Sequence, residues 1–342
     1  MNFNTILKHS LCQLMLLIIT LFSLSTTADP AIKAFDEGNY EQAEQLFKSK
    51  NKPEFKLYLA RTAMHLGKLD DAEDLMTEML KEQPNNSEAH YWFARISAQQ
   101  ASNASIFSAP GYASDAKKHF SKAIELDPKN ADAIRGLMGF YSQAPSIVGG
   151  SMEKAHKLAI KLTEINPQAG LLAQMNLHRR ENNNDKVSSL LSQLTEQYND
   201  SANAMLNVGL IYQTRKEYAK ALTSFTKATT ANTSQFFKSL NEKEQKTAIK
   251  AAYGAKYQIG RNAVLSDTEI EKGIQALETY LGYELFRGQP SHNWARTRLA
   301  ALYLKQGNKL KAKELIAIAV KDDSDGGPQK LAKKLLKAIN DA

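Results

Sequence analysis

A chain of 342 residues, 43% hydrophobic and 23% charged, has the composition of a folded protein and excludes general disorder. Its net charge of +8 and pI near 9.2 permit attraction to anionic surfaces without establishing it. Much of the excess lies in residues 305–342, where nine lysines face five acidic residues around helical runs with no interleaved aromatics. That pattern reads as a solvated face, so no nucleic-acid partner is expected.

At the N-terminus, Lys8 and His9 precede an apolar run from Leu11 to Leu24, and small residues end at Ala28. These are the parts of a secretory signal over residues 1–28, which places the protein in the periplasm or outside the cell. The run is short for a membrane anchor, so no stable span is expected after cleavage; whether the segment is cleaved or retained stays open. Cys12 is the sole cysteine, so the mature chain has no disulfide, thiolate metal site or cysteine nucleophile.

From Asp29 onward the chain repeats itself. After a truncated unit around Ala43, residues 53–86 fit a 34-residue frame with Ala60 at position 8, Gly67 at 15, Ala72 at 20 and Pro84 at 32. Units 87–130 and 131–167 follow, interrupted by extended turns at 99–114 and 143–151. Units 168–201 and 236–288 fit weakly. Between and after them, 202–235 and 293–326 fit without gaps, with Gly209 and Ala300 at position 8. Position 20 holds Ala43, Ala72, Ala116, Ala155, Leu190, Ala221, Gly273 and Ala312. Two helices joined by a short turn approach within about 8–10 Å where such small side chains meet at the crossing. In the last segment, 327–342, Leu331, Leu335, Leu336 and Ile339 share one face, as a helix capping the array would need.

The units resemble the tetratricopeptide repeat, a helix–turn–helix module. The resemblance implies an all-α fold: a right-handed α-solenoid of about eight units over 29–326, closed by a C-terminal capping helix. It also implies a partner-binding concave face built from first-helix positions 2, 5, 9, 12 and 13. On this sequence those positions and their neighbours give Arg61, His65, Tyr91, Arg95, Arg135, Asn203, Leu210 and Gln213. Arg61, Arg95 and Arg135 either wait for carboxylates of a peptide or pair with Glu54, Glu88 and Asp132. The Lys/Asn clamp of some family members is absent: its places hold Leu57, Arg61, Trp92, Gly139 and Gln143.

Chemistry is not legible. Gly149, Gly150 and Ser151 precede a helical run, but a phosphate loop needs a preceding strand and a lysine after the glycines, and neither is present. Ser151 reads instead as the N-cap of the second helix of its unit. No pair of histidines has the i, i+4 spacing with glutamate of a helical zinc site. No catalytic residues, metal or cofactor are therefore expected, and the protein is not expected to be an enzyme. The expected function is a periplasmic scaffold for an unknown protein or peptide. A ligand-handling accessory of a periplasmic solute transport system is the alternative.

Overall fold

A computed structural model describes residues 29–50, 52–321 and 326–340. The expected signal segment, residues 1–28 with Cys12, lies outside the described residues. Among the described residues every regular element is a helix, and antiparallel pairs stack as an all-α solenoid. The chain divides into two compact units, one ending at Pro128 and one starting at Lys129.

The first unit stacks three pairs: α1 (Pro30–Asp36) with α2 (Tyr40–Lys50), α3 (Lys56–His65) with α4 (Leu69–Glu82), and α5 (Ser87–Asn103) with α6 (Ala109–Leu126). The second begins with α7 (Ala131–Gln143), α8 (Met152–Ile165), α9 (Pro167–Arg180) and α10 (Asn184–Gln197). It continues with α11 (Ala202–Thr214), α12 (Tyr218–Thr230), a short α13 (Gln235–Ser239) and α14 (Glu242–Ser266). It ends with α15 (Ile270–Leu281), α16 (His292–Lys305), α17 (Lys309–Lys321) and α18 (Gly326–Asn340).

Small side chains set the pairing. The alanines at position 20 are all at most 1% exposed, Leu190 is 7% exposed, and Gly273 is buried. Gly209 shows why size matters. A Cβ added there would lie 2.5 Å from Cδ1 and Cε1 of Phe225, a ring that is itself fully buried. Any side chain must push the ring, and with it α12, away from α11.

The turn inside the pairs repeats as well. After α3, Gly67 N–H donates to Met64 O and Lys68 N–H to Ala63 O, with Gly67 at φ +78°. The same two bonds and left-handed residue recur at Gly307, and also at Asn182 (φ +58°) and Lys216 (φ +61°). This is the glycine C-cap of a helix, and the two non-glycines hold it under steric strain. Helix starts are fixed by short polar caps: Asn86, Asn130, Asn166 and Ser201 each accept a bond from the backbone N–H three residues on.

Two details depart from the sequence reading. The turn at 99–114 is mostly helix: α5 runs to Asn103 and α6 starts at Ala109, leaving only residues 104–108 outside. The Ala/Gln/Ser run continues a helix at little cost, and Pro110 sits in the first turn, where its missing N–H is harmless. The poorly fitting unit 236–288 contains a 25-residue α14, started by a capping box between Asn241 and Glu244 and ended by Asp267 in the left-handed conformation. It packs on α11, α12, α15 and α16, doing the work of more than one repeat helix.

The loop 143–151 is a real turn. Residues 146–148 make one 3₁₀ turn, Gly149 is left-handed, and Ser151 N–H donates 2.8 Å to Tyr141 O. A Cβ on Gly150 would fall 1.8 Å from Ala144 O, so both glycines are dictated by the backbone path. At the other end, α18 lies on α16 and α17, burying Pro328, Ala332 and Ile339.

Candidate functional site

In the first unit, the first helices α1, α3 and α5 present their side chains to one another. Phe35, Tyr58, Arg61, Tyr91, Trp92 and Arg95 form a ladder of guanidinium and ring. The Arg61 Cζ lies 4.6 Å from the Phe35 centroid, 5.0 Å from Tyr58 and 4.5 Å from Trp92. Arg95 approaches the same indole at 4.7 Å and Tyr91 at 5.9 Å. Two guanidiniums thus share one tryptophan. Planar, weakly hydrated guanidinium suits this stacking as an ammonium would not. His65 stacks on Tyr40, centroids 4.4 Å apart, at the edge of the ladder.

Among the described residues, neither Arg61 nor Arg95 has a carboxylate within salt-bridge distance. Glu54 turns to Lys52 at 3.6 Å. The Arg61 Nε is buried without a hydrogen-bond acceptor, whereas Arg95 is exposed. An anionic group arriving on this face meets donors already oriented by their rings.

The second unit treats its share of the expected residues differently. Arg135 hydrogen-bonds Asp132 three residues earlier on α7, and Lys243 joins at 3.5 Å. Burial works against ionised Asp132, but the bonds and charge of Arg135 and Lys243 outweigh it and hold the carboxyl below its ordinary range. Of the two alternatives open for Arg135, the structure shows the pairing with Asp132 within the chain. Gln213 is also engaged within the unit: it is 5% exposed, donates to Asn262 Oδ1 at 3.4 Å and accepts from Arg261. Leu210 packs half-buried against the core around Phe225. Asn203 is half-buried and accepts at its backbone and side-chain oxygens from Asn207 Nδ2 at 2.8 and 3.3 Å.

A feature absent from the sequence reading is an open groove of about 490 Å³ in the second unit, lined by Tyr257, Gly288, Gln289, Pro290, Trp294 and Arg298. Arg298 Nε donates 2.9 Å to the Tyr257 hydroxyl. Burial, and then the positive charge of Arg298, lowers the pKa of nearby Arg261. The sequence signal was available: Trp294 is position 2 of the last well-fitting unit.

The histidines are not all apart. His90 Nε2 donates to Pro84 O at 2.9 Å, which leaves its Nδ1 to accept from His119 Nδ1 at 2.9 Å. His119 stacks flat on Phe93, centroids 4.0 Å apart. Burial, aided by His90 and Lys118, pushes the His119 pKa down to about 4. His156 on α8 and His178 near the end of α9 also approach each other, beside Glu181.

Tetratricopeptide-repeat models match residues 34–96 and 202–235. The chain carries tetratricopeptide repeats. Yeast Tom70 superposes with a TM-score of 0.61 at 18% identity, over 88% of this chain and 58% of Tom70. The chain thus spans little more than half the length of that protein. The APC/C hetero-tetramer Cut9–Hcn1 matches at 0.48 and 13% identity, over 93% of this chain and 57% of the other. A tetratricopeptide repeat protein from Parabacteroides merdae matches at 0.44 and 15%, over 84% and 98%. At these identities the likeness is one of fold alone. No curated protein sequence matches the chain. The repeat fold is typically a non-catalytic interaction scaffold, and a protein or peptide partner is what it suggests. No helix among the described residues is long and apolar enough to cross a membrane.

Proposed function

We propose that this protein is an exported, non-enzymatic holder of a protein or peptide partner, gripped on the first-helix face of its first unit. One observation carries the reading: Arg61 and Arg95 flank Trp92 with no carboxylate of the described chain to neutralise them. A ligand with a carboxylate beside an apolar or aromatic group would complete the ladder, because desolvated guanidinium–carboxylate bonds are the strong kind. The signal-like residues 1–28 support a periplasmic setting. Ile106 and Phe107, 82% and 92% exposed at the tip between α5 and α6, offer further apolar contact in the same unit.

The second reading is a ligand-handling accessory of a solute transport system. An open groove that brings Tyr257, Trp294 and Arg298 onto one surface supports it, since two rings and a guanidinium suit an aromatic or anionic ligand. The two readings separate in one pair of experiments. Affinity capture from a periplasmic extract is run with the wild type and Arg95→Glu, beside native mass spectrometry of the purified protein. The scaffold reading expects a protein retained by the wild type and lost with Arg95→Glu. A stoichiometric small adduct, with no Arg95-dependent protein, sinks it in favour of the transport role.

A further inference from the structure

Helices α8 and α9 are joined by the single residue Asn166, so the start of one lies beside the end of the other. Three metal-binding side chains meet there. His156 Nε2 is 2.9 Å from Glu181 Oε2, and His178 Nδ1 is 3.4 Å from the same oxygen. One ligand atom from each of the three residues lies within 4.8 Å of the others, and the imidazole centroids are 4.7 Å apart. The end of α9 is fixed by its cap. Glu181 N–H bonds to Leu177 O, and the left-handed Asn182 directly behind it reverses the chain.

The geometry points to a divalent transition-metal site, of the kind that takes zinc, formed by His156, His178 and Glu181. Ligand atoms at about 2.0–2.1 Å from a tetrahedral ion are about 3.3 Å from one another. Both distances to Glu181 Oε2 are already near that value, and the two nitrogens lie within 4.8 Å of each other, within reach of it by small side-chain rotations. His178 Nδ1 adds a second, independent sign. It is buried and has no hydrogen-bond partner, since the Glu181 oxygen is close enough for an ion pair but not aligned for a bond. A bare imidazole nitrogen facing a carboxylate and a second imidazole lacks only the cation that all three would bind.

Two imidazoles and one carboxylate favour zinc and its first-row neighbours over calcium or magnesium, which prefer all-oxygen sets. The His156 and His178 side chains keep 25% and 20% of their exposure and Glu181 35%, so a fourth position faces solvent for water or an outside ligand. Binding through His156 Nε2 requires that its proton, now donated to Glu181, be carried on Nδ1 instead. Because the ligands come from two helices, the ion would staple α8 to α9.

The full-length protein, freed of any affinity tag and stripped with a chelator, is titrated with Zn²⁺ by calorimetry and with Co²⁺ by visible absorption. One equivalent of Zn²⁺ should bind, and Tm should rise by roughly 5 °C when free Zn²⁺ reaches a hundredfold excess over Kd. Co²⁺ should give the intense visible bands of a four- or five-coordinate site. His178→Ala should weaken binding more than about tenfold. The exposed Glu181→Gln, which keeps the side-chain shape, should do the same with an unchanged circular dichroism spectrum. Absence of saturable binding, or binding of equal strength in His178→Ala and Glu181→Gln, overturns the assignment.

Discussion

The fit between Gly209 and Phe225 allows a test in which one substitution has opposite signs at two places in the second unit. At Gly139 on α7, a Cβ would meet nothing nearer than Gln143 Nε2 at 3.6 Å. Gly139→Ala should therefore stabilise by about 0.5–1 kcal/mol, the helix-propensity gain alone. At Gly209 the same gain of about 1 kcal/mol is set against ring carbons at 2.5 Å. Carbon atoms in contact prefer about 3.5–4.0 Å, so the fully buried Phe225 must retreat by roughly 1 Å into a packed core. Overpacking of this kind costs about 1–3 kcal/mol, which leaves Gly209→Ala neutral to destabilised by about 2 kcal/mol. The two variants should differ by about 1–3 kcal/mol, or at least about 3 °C in the Tm of a unit this size, read by circular dichroism. Gly209→Ala/Phe225→Leu should recover part of the steric loss relative to Phe225→Leu alone. Equal melting of Gly209→Ala and Gly139→Ala would refute the argument that small residues set how closely these helices pair.

Other outcomes follow from the same structure. Lys216 holds the left-handed place that glycine takes after α3 and α16, so Lys216→Gly should raise stability by about 0.5–1 kcal/mol in urea unfolding. Ser151 accepts from Lys154 N–H at 3.3 Å, and Ser151→Ala should cost about 0.5–2 kcal/mol in the same assay. His119 stays neutral in the fold down to about pH 4, while its unfolded value is 6.5, so the unfolded state takes up the extra proton between those values. Stability is then complete above pH 6.5 and declines as the pH falls towards 4. Partial exposure of His119 limits the linkage to about 1–2 kcal/mol. His119→Phe should flatten that slope, and an unchanged slope rules out His119 as its cause.

The pairing of helices was legible because it depends on residues close in sequence. Ala72 and Ala60, or Ala221 and Gly209, lie twelve apart within one unit and meet wherever that unit folds. Gly149 and Gly150 read correctly as a turn because no strand precedes them. Lengthening of α5 and α6 was not legible, since an Ala/Gln/Ser run suits a helix and a loop boundary alike. The Arg61–Trp92–Arg95 ladder was only half legible. Repeat alignment pointed Arg61 and Arg95 to one face, but Trp92, on the next helix pair, entered only as a failed clamp position. Alignment gives direction and not all neighbours: Asp132, three residues away, was legible as a partner of Arg135, whereas Arg261 and Asn262 reach Gln213 from the distant α14. The histidine cluster escaped a search along single helices because its ligands face each other across the Asn166 turn.

Partner binding at the arginine ladder has a local signature. Glu88 is exposed on α5, one and two turns before Trp92 and Arg95, while Ser121 is exposed on α6. A photoreactive amino acid is placed at position 88 or at position 121 of the full-length protein in its native host, and adducts are resolved by mass spectrometry. A discrete protein adduct is predicted at 88 and not at 121, and it should vanish when Arg95→Glu is added. No adduct at 88, or the same adducts at both positions regardless of Arg95, contradicts a partner held on this face.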